Sequence, residues 1–305
     1  MVRYKNGLLF IILFLLFILL MPAYAEDIAI VMGTDYSVYQ QAVEGFKAKI
    51  NYSIKEYDMH NNTEEGKKIA QEIKKENPKL IFTIGNKATQ AIKSEIENTP
   101  IVYALVINPY QYGLSGENIC GVSWEVPPLK EFEVLKQIAP KVKKIGVIYN
   151  PENYKNLIDE AQNAATQLGF QLIAKPAKSL AEVNETIGEL IPQIEAFWMT
   201  TDPLVANSEI FRKLIFDTLL NGIILFSPAE NFVEDGAVFS ISARFKETGA
   251  QAAEIANRVL EGKSTCKDIG IERPKELDLF INKKIINQLG ISLPGSFTSR
   301  VTKTY

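Results

Sequence analysis

Residues 145–174 read IGVIYNPENYKNLIDEAQNAATQLGFQLIA, and the hydrophobic period changes twice within them. Ile145 to Tyr149 is a short β-branched run of continuous hydrophobicity, as a strand covered on both faces requires. Leu157, Ile158, Ala161, Ala165 and Leu168 then recur at helical spacing, and Gly169 stands where a left-handed turn ends a helix. Phe170 to Ala174 is a second hydrophobic run. Strand, helix, strand is the βαβ unit of a parallel sheet.

The same alternation extends in both directions. Upstream, Ile28 to Met32, Tyr52 to Tyr57, Leu80 to Ile84 and Ile101 to Ile107 read as strands. Between two of them Asn62 and Glu65 make a capping-box-like start, Ile69, Ala70 and Ile73 give an apolar face, and Asn77-Pro78 stops the helix. After the Pro127-Pro128 break the rhythm restarts, with Ile145 to Tyr149, Phe170 to Ala174, Ala196 to Thr200 and Ile223 to Phe226 as strands. A helix from Lys246 to Glu261 ending at Gly262, a strand from Glu276 to Ile281 and a helix through Leu289 follow. The expected fold class is α/β: two Rossmann-like lobes with parallel sheets.

The amino terminus carries a different signal. Arg3 and Lys5 precede fourteen apolar residues, Leu8 to Met21, and Ala23-Tyr24-Ala25 gives the small-x-small pattern of a signal-peptidase site. Fourteen residues fall short of the roughly 20 that span a bilayer. The expectation is a signal peptide over residues 1–25, a mature chain starting at Glu26, and export to the periplasm without membrane insertion after cleavage. Without residues 1–25 the chain has 280 residues and its formal charge moves from −3 to −5. That length predicts two lobes, and the acidic balance argues against nucleic acid as a partner. Lys141-Val142-Lys143-Lys144 and Lys283-Lys284 read as solvated element ends.

Cys120 and Cys266 are the two cysteines of the chain, so an oxidising compartment leaves them one pairing; whether it forms stays open at this stage. One histidine, His60 in a polar loop, and two distant cysteines have no zinc-ligand spacing, and no metal or other cofactor is expected. Gly113-Leu114-Ser115-Gly116 has the wrong spacing for a nucleophile elbow, and neither a phosphate-binding loop nor a dinucleotide-binding turn occurs. The reading is a binder, not an enzyme, with no catalytic residues.

Several stretches, taken in order, resemble the substrate-binding proteins of ABC importers with the type I periplasmic-binding fold, in particular the tryptophan- and tyrosine-binding group. They are Gly121-Val122-Ser123 before Val126-Pro127, Ile145 to Asn150, Thr201-Asp202 with Val205-Ala206, Val233-Glu234-Asp235-Gly236-Ala237, the Gly249 helix ending in Leu260-Glu261-Gly262, and Leu279-Phe280-Ile281-Asn282 to Leu289-Gly290-Ile291. The similarity runs over nearly all of residues 27–300. It implies a monomeric receptor that closes on a small molecule, an amino acid in first place and an aromatic or branched one among the options, and presents it to an ABC permease in the inner membrane. It also implies a hinge of several strands, with residues 26–123 and 243–268 in lobe 1 and 124–242 and 269–305 in lobe 2. The aromatic-amino-acid binders differ in carrying a lipid-attachment cysteine, absent here, and a Ser-rich turn where this chain has Asn150-Pro151-Glu152-Asn153-Tyr154. The alternative is a periplasmic sensor that shows its closed form to a membrane kinase or receptor.

Ligands of open parallel sheets bind beyond the carboxyl ends of the strands, so the turns there are the candidate walls. From lobe 1 they offer Tyr36, Gly85, Asn86 and Asn108, and from lobe 2 Tyr149, Asn150, Thr200, Asp202 and Phe226, with Trp124 at the crossover. Gly85-Asn86 opens a helix and suits a carboxylate. Asp202 is read either as partner of a ligand ammonium or as a helix cap before Pro203, and the roles are compatible. Trp124, Tyr36, Tyr149 and Phe226 can wall an apolar group, against plain hinge or core packing; Trp198 reads as core.

Overall fold

The structure, a computed structural model, describes residues 27–295 and 297–305. The expected signal peptide lies outside the described residues. From the amino terminus the elements are β1 (Ile28–Met32), α1 (Ser37–Lys47), β2 (Ile54–Asp58), α2 (Thr63–Glu76), β3 (Leu80–Ile84), α3 (Asn86–Lys93), β4 (Ile101–Val106) and β5 (Ile119–Ser123). Then come α4 (Pro128–Ile138), β6 (Lys144–Tyr149), α5 (Lys155–Leu168), β7 (Gln171–Pro176), α6 (Leu180–Leu190), β8 (Ala196–Trp198), α7 (Ser208–Leu220), β9 (Ile224–Ser227), α8 (Glu230–Glu234) and β10 (Phe239–Ala243). The last are α9 (Phe245–Leu260), α10 (Cys266–Ile269), β11 (Ile271–Glu272), β12 (Leu277–Ile281), α11 (Lys283–Gln288) and β13 (Lys303–Thr304).

The strands make two sheets. The first has the order β11-β5-β4-β3-β1-β2 and is parallel throughout; the second runs β13-β12-β10-β9-β8-β6-β7, with β12 antiparallel to β10. The two-residue side-chain period explains why an inner strand such as β1 is apolar at every position, whereas the edge strand β2 carries Lys55, Glu56 and Asp58. In β1, Ile28, Ile30 and Met32 pack with Ala42, Val43 and Phe46 of α1 and Ala252, Ala253 and Ile255 of α9, while Ala29 and Val31 face Ile69 and Ile73 of α2 and Ile92 of α3. In the second sheet Ile145 and Val147 meet Phe132 and Leu135 of α4 and Leu157 and Ala161 of α5, and Ile148 turns to Val183 and Ile187 of α6. Each lobe is thus a sheet between two helix layers.

The chain passes between the sheets three times: between β5 and α4, at Arg244 between β10 and α9, and over residues 273–276 between β11 and β12. The expected lobe boundary at 268/269 falls within α10, before the chain leaves the first lobe, because Ile271 and Glu272 still pair with Gly121 and Val122 of β5. The true crossing follows at Arg273-Pro274, where proline ends the pairing. Beside it Cys120 of β5 is bonded to Cys266, the first residue of α10, with Cα atoms 4.9 Å apart, so the link fastens the returning segment to the first sheet.

Helix α9 returns to lobe 1 by crossing α1 where both lack side chains. A Cβ on Gly249 would run into the carbonyl of Ala42, and one on Gly45 into the carbonyl of Lys246. The backbones touch there, and neither obstruction is a movable side-chain tip. Gly188 of α6 has open space around its missing Cβ. The two helical glycines therefore differ in sign on substitution. Gly249→Ala is expected to lower stability by about 1–3 kcal/mol through overpacking, and Gly188→Ala to raise it by roughly 0.5–1 kcal/mol through helix propensity; urea denaturation of both variants checks the contrast.

Candidate functional site

The carboxyl ends of β3, β4 and β5 from one lobe and of β6, β8 and β9 from the other face a common groove. Asn86, first residue of α3, sits there because Gly85 adopts φ +81° and turns the chain sharply out of β3. Its side chain donates to the Ile107 carbonyl at 2.6 Å and accepts from the Ile107 N–H at 2.9 Å, fixing the turn after β4. The hydroxyl end of Tyr39 occupies the space beside Gly85, so the α3 amino terminus lies next to a phenol. Asn108, held at φ +49°, donates its amide to the Asn153 carbonyl at 2.7 Å, a direct bond from lobe 1 to lobe 2.

A buried charge group lies behind that bond. Glu125, on the first crossing and 7% exposed, accepts the Asn108 N–H and pairs with Arg273 at 3.4 Å. Arg273, on the third crossing, also pairs with Glu160 of α5 at 2.7 Å and donates to the Ser123 hydroxyl at 3.3 Å. Burial pushes the Glu125 carboxyl up from the ordinary glutamate range, with the Arg273 guanidinium and the Asn108 amide opposing.

On the lobe 2 side Asp202 is buried, and both its oxygens are used by the backbone. Oδ2 accepts the Asn150 N–H at 2.6 Å and Oδ1 the Leu204 N–H at 3.0 Å, while the Thr200 hydroxyl accepts the Asp202 N–H at 3.3 Å. The expected helix cap is not formed, because α7 starts only at Ser208 with Asn207 as its cap; Asp202 instead closes an Asx-type turn and splices the turn after β6 to the turn after β8. Burial raises the Asp202 carboxyl, and the two N–H groups counter it.

Around these turns the structure leaves several spaces. The widest, about 260 Å³, is lined by Asn86, Asn108, Gln111, Tyr112, Tyr154 and Thr201 among others. A smaller one, about 20 Å³, lies deeper between Trp124, Glu125, Glu131, Trp198, Thr200 and Thr201. The two share Thr201, whose hydroxyl oxygen is buried without a hydrogen-bond partner. Glu131 is 5% exposed and accepts the Trp198 indole N–H at 3.1 Å. Desolvation pushes its carboxyl up to about 8, against the Trp198 bond and the field of Arg273.

The expected site residues divide accordingly. Asn86, Asn108, Trp124 and Thr200 line the spaces described, and Gly85, Asn150 and Asp202 shape their turns. Tyr36 precedes α1, is 58% exposed, and lies 5.7 Å from the Tyr39 ring. Trp124 also packs on Phe245 at 5.0 Å, so hinge packing and cavity lining coexist. Tyr149 lies half-buried against the core of lobe 2. Phe226 is a correction: it is core, 1% exposed and stacked on Phe239 at 5.0 Å, because its position in β9 points it into the α4 side of the sheet. Trp198, read as core, is core and also lines the deeper cavity. Glu125, Glu131 and Arg273 went unnoticed in the sequence. For Glu131 a signal existed: it lies three residues after Pro128 and four before Leu135, on the buried stripe of α4. His60, expected at the surface, is exposed, and among the described residues no group of three or more His, Cys, Asp and Glu side chains could hold a metal ion.

A raised carboxyl has a definite sign in stability. The unfolded glutamate gives up its proton near 4.5 and the folded Glu131 near 8. Its neutral form is therefore at no disadvantage below the lower value, and stability declines as pH rises between the two. Glu131→Gln keeps the acceptor for Trp198 and removes the titration. The variant should gain on the wild type by on the order of a few kcal/mol between acid pH and pH above 8, read from urea midpoints across the range.

The family model described as ABC transporter substrate binding protein matches residues 30–304. A tyrosine-binding protein of Clostridioides difficile is 29% identical over 255 residues, which are 81% of this chain and 73% of that protein. Among solved structures, a ligand-free, open substrate binding protein with adhesive properties from Clostridium difficile superposes with a TM-score of 0.74 at 25% identity, covering 91% of this chain and 98% of the other. The ABC domain in complex with L-Trp from Streptococcus pneumonia superposes with a TM-score of 0.64 at 20% identity, over 91% and 100% of the two chains, a likeness of fold. With the family match spanning both sheets and all three crossings, this chain belongs to the ABC transporter substrate binding protein family.

Proposed function

We propose that the protein is the receptor of an ABC importer in the periplasm, that it captures an amino acid, aromatic in first place, between its lobes, and that it hands this ligand to a membrane permease. The observation that supports this most is the groove itself. Strand ends of two separate sheets face it, Asn108 and Asn153 bond across it, and three chain segments pass behind it. A ligand touching both walls stabilises the closed arrangement by its differential affinity for that state, which is all that hinge closure requires. The tyrosine-binding relative supports the amino acid class. No bond-making step enters this reading, and the ligand leaves unchanged. Export follows from the signal-peptide pattern at residues 1–25; among the described residues no helix is long and apolar enough to cross a membrane.

The test is a thermal-shift panel on the chain from Glu26, unfolded and refolded to strip carried-over solute. A ligand at one hundred times its Kd adds about 2.7 kcal/mol of stability. A rise in midpoint is expected with L-tyrosine or L-tryptophan and none with sugars or nucleosides. A rise confined to sugars or nucleosides would overturn the amino acid assignment while leaving the receptor role.

A further inference from the structure

Of the carboxyls Asp202, Glu125 and Glu131 around the groove, Glu131 is the one with an oxygen that, among the described residues, accepts no hydrogen bond. Each oxygen of Asp202 accepts a backbone N–H group, and the two oxygens of Glu125 face Arg273 and the Asn108 N–H. Glu131 has one donor, the Trp198 indole on Oε2, and among the described residues none reaches its other oxygen. It lines the deeper cavity, whose volume of about 20 Å³ holds one water-sized group. That cavity has no basic side chain in its wall: its polar lining is Glu125, Glu131, Thr200 and Thr201, and the rest includes Trp124, Trp198 and Leu157. The buried Thr201 hydroxyl, also without a partner, adds a second polar atom to the same wall.

A space of that size, bounded by carboxyls, unused hydroxyl capacity and two indoles, suits a primary ammonium. Such a group has three donors, and a carboxylate and a hydroxyl are acceptors of matching number and size. Deepening the amino acid reading, on which it rests, we propose that Glu131 is the acceptor of the ligand's ammonium group and sets the preference of this site for amine-bearing solutes. The rest of the ligand extends past Thr201 toward the wider space under Asn86 and Asn108. Glu131 holds its proton at neutral pH, since burial disfavours its charge and Glu160 repels it, while Trp198 and Arg273 only partly compensate. An entering ammonium replaces that proton, so binding releases it to solvent.

The experiment is isothermal titration of wild type and Glu131→Gln with L-tyrosine, L-tryptophan, L-phenylalanine, tyramine, tryptamine and hydrocinnamate, in two buffers of different ionisation enthalpy near neutral pH. Wild type is expected to bind amine-bearing probes with release of most of one proton. The variant, checked for its fold by its unfolding midpoint, should bind them at least roughly tenfold more weakly, as loss of a charged hydrogen bond implies, and without that proton. Equal affinity in a folded Glu131→Gln overturns the role of Glu131 and leaves the amino acid reading intact. Binding of tyramine or tryptamine but no amino acid, lost in the variant, overturns the amino acid reading and supports Glu131. Wild type binding hydrocinnamate alone, or no amine, overturns both.

Discussion

The arrangement of this molecule turns on Arg273, a cation placed where the chain leaves one lobe for the other. It reaches Glu125 on a different crossing and Glu160 on a helix of lobe 2. A carboxyl buried as Glu125 is would be expensive without a partner, and breaking such a pair by removing one member typically costs about 3–5 kcal/mol. Two of the three crossings are therefore fixed relative to one another by charge as well as by backbone. Glu125 passes the constraint on, because its other oxygen holds the Asn108 N–H, and Asn108 in turn forms the bond to Asn153. The turn that touches the opposite lobe is thus positioned from the hinge.

That chain of contacts bears on how easily the groove opens. A neutral amide-to-carbonyl bond such as Asn108 to Asn153 is worth about 1 kcal/mol net, far less than the packing inside either lobe. Each sheet is covered on both faces by its own helices, so a lobe loses no core when the groove widens. The α1–α9 crossing and the disulfide from β5 to α10 both lie within lobe 1 and bind the returning segment to it. Motion is left to the short crossings.

The lobes were legible because a sheet covered on both faces writes its inner strands as nearly continuous apolar runs, and because helices with one exposed face write a stripe. What escaped were elements where these rules weaken. The Ile-Cys-Gly-Val-Ser run of β5 does not read as a strand, because a glycine and small side chains dilute its signal, although Gly121 is small for a reason: a Cβ there would strike the Tyr103 backbone. The strand expected through Thr200 stops at Trp198, since Asp202 draws the following residues into its own turn. Phe226 shows the limit at the site: position at a strand end was readable, but the face to which the ring turns depends on register, and a shift of one residue reverses it. Arg273 left no trace in the sequence, because its partners come from two segments distant from it in the chain, residues 123–125 and Glu160.

The carboxyls divide by place in a way the sequence alone does not reveal. Asp27, Glu76, Glu230 and Asp268 are lowered by hydrogen-bonded partners at the protein surface. The three that are raised, Glu125, Glu131 and Asp202, all lie where strand ends of the two lobes meet, and in each the largest cause is loss of water. Two of these are explained by structure: Asp202 splices two turns and Glu125 anchors the hinge. For Glu131 the local structure offers one indole N–H, which an amide side chain would accept equally well without titrating. An apolar residue on that stripe of α4 would serve packing better still, as Phe132 and Leu135 do beside it. Strained polar groups concentrate at functional sites because there the cost is offset when the partner arrives. A carboxyl beside a cavity of one group's size, with an orphaned hydroxyl in the same wall, is the arrangement on which the proposed ammonium acceptor rests.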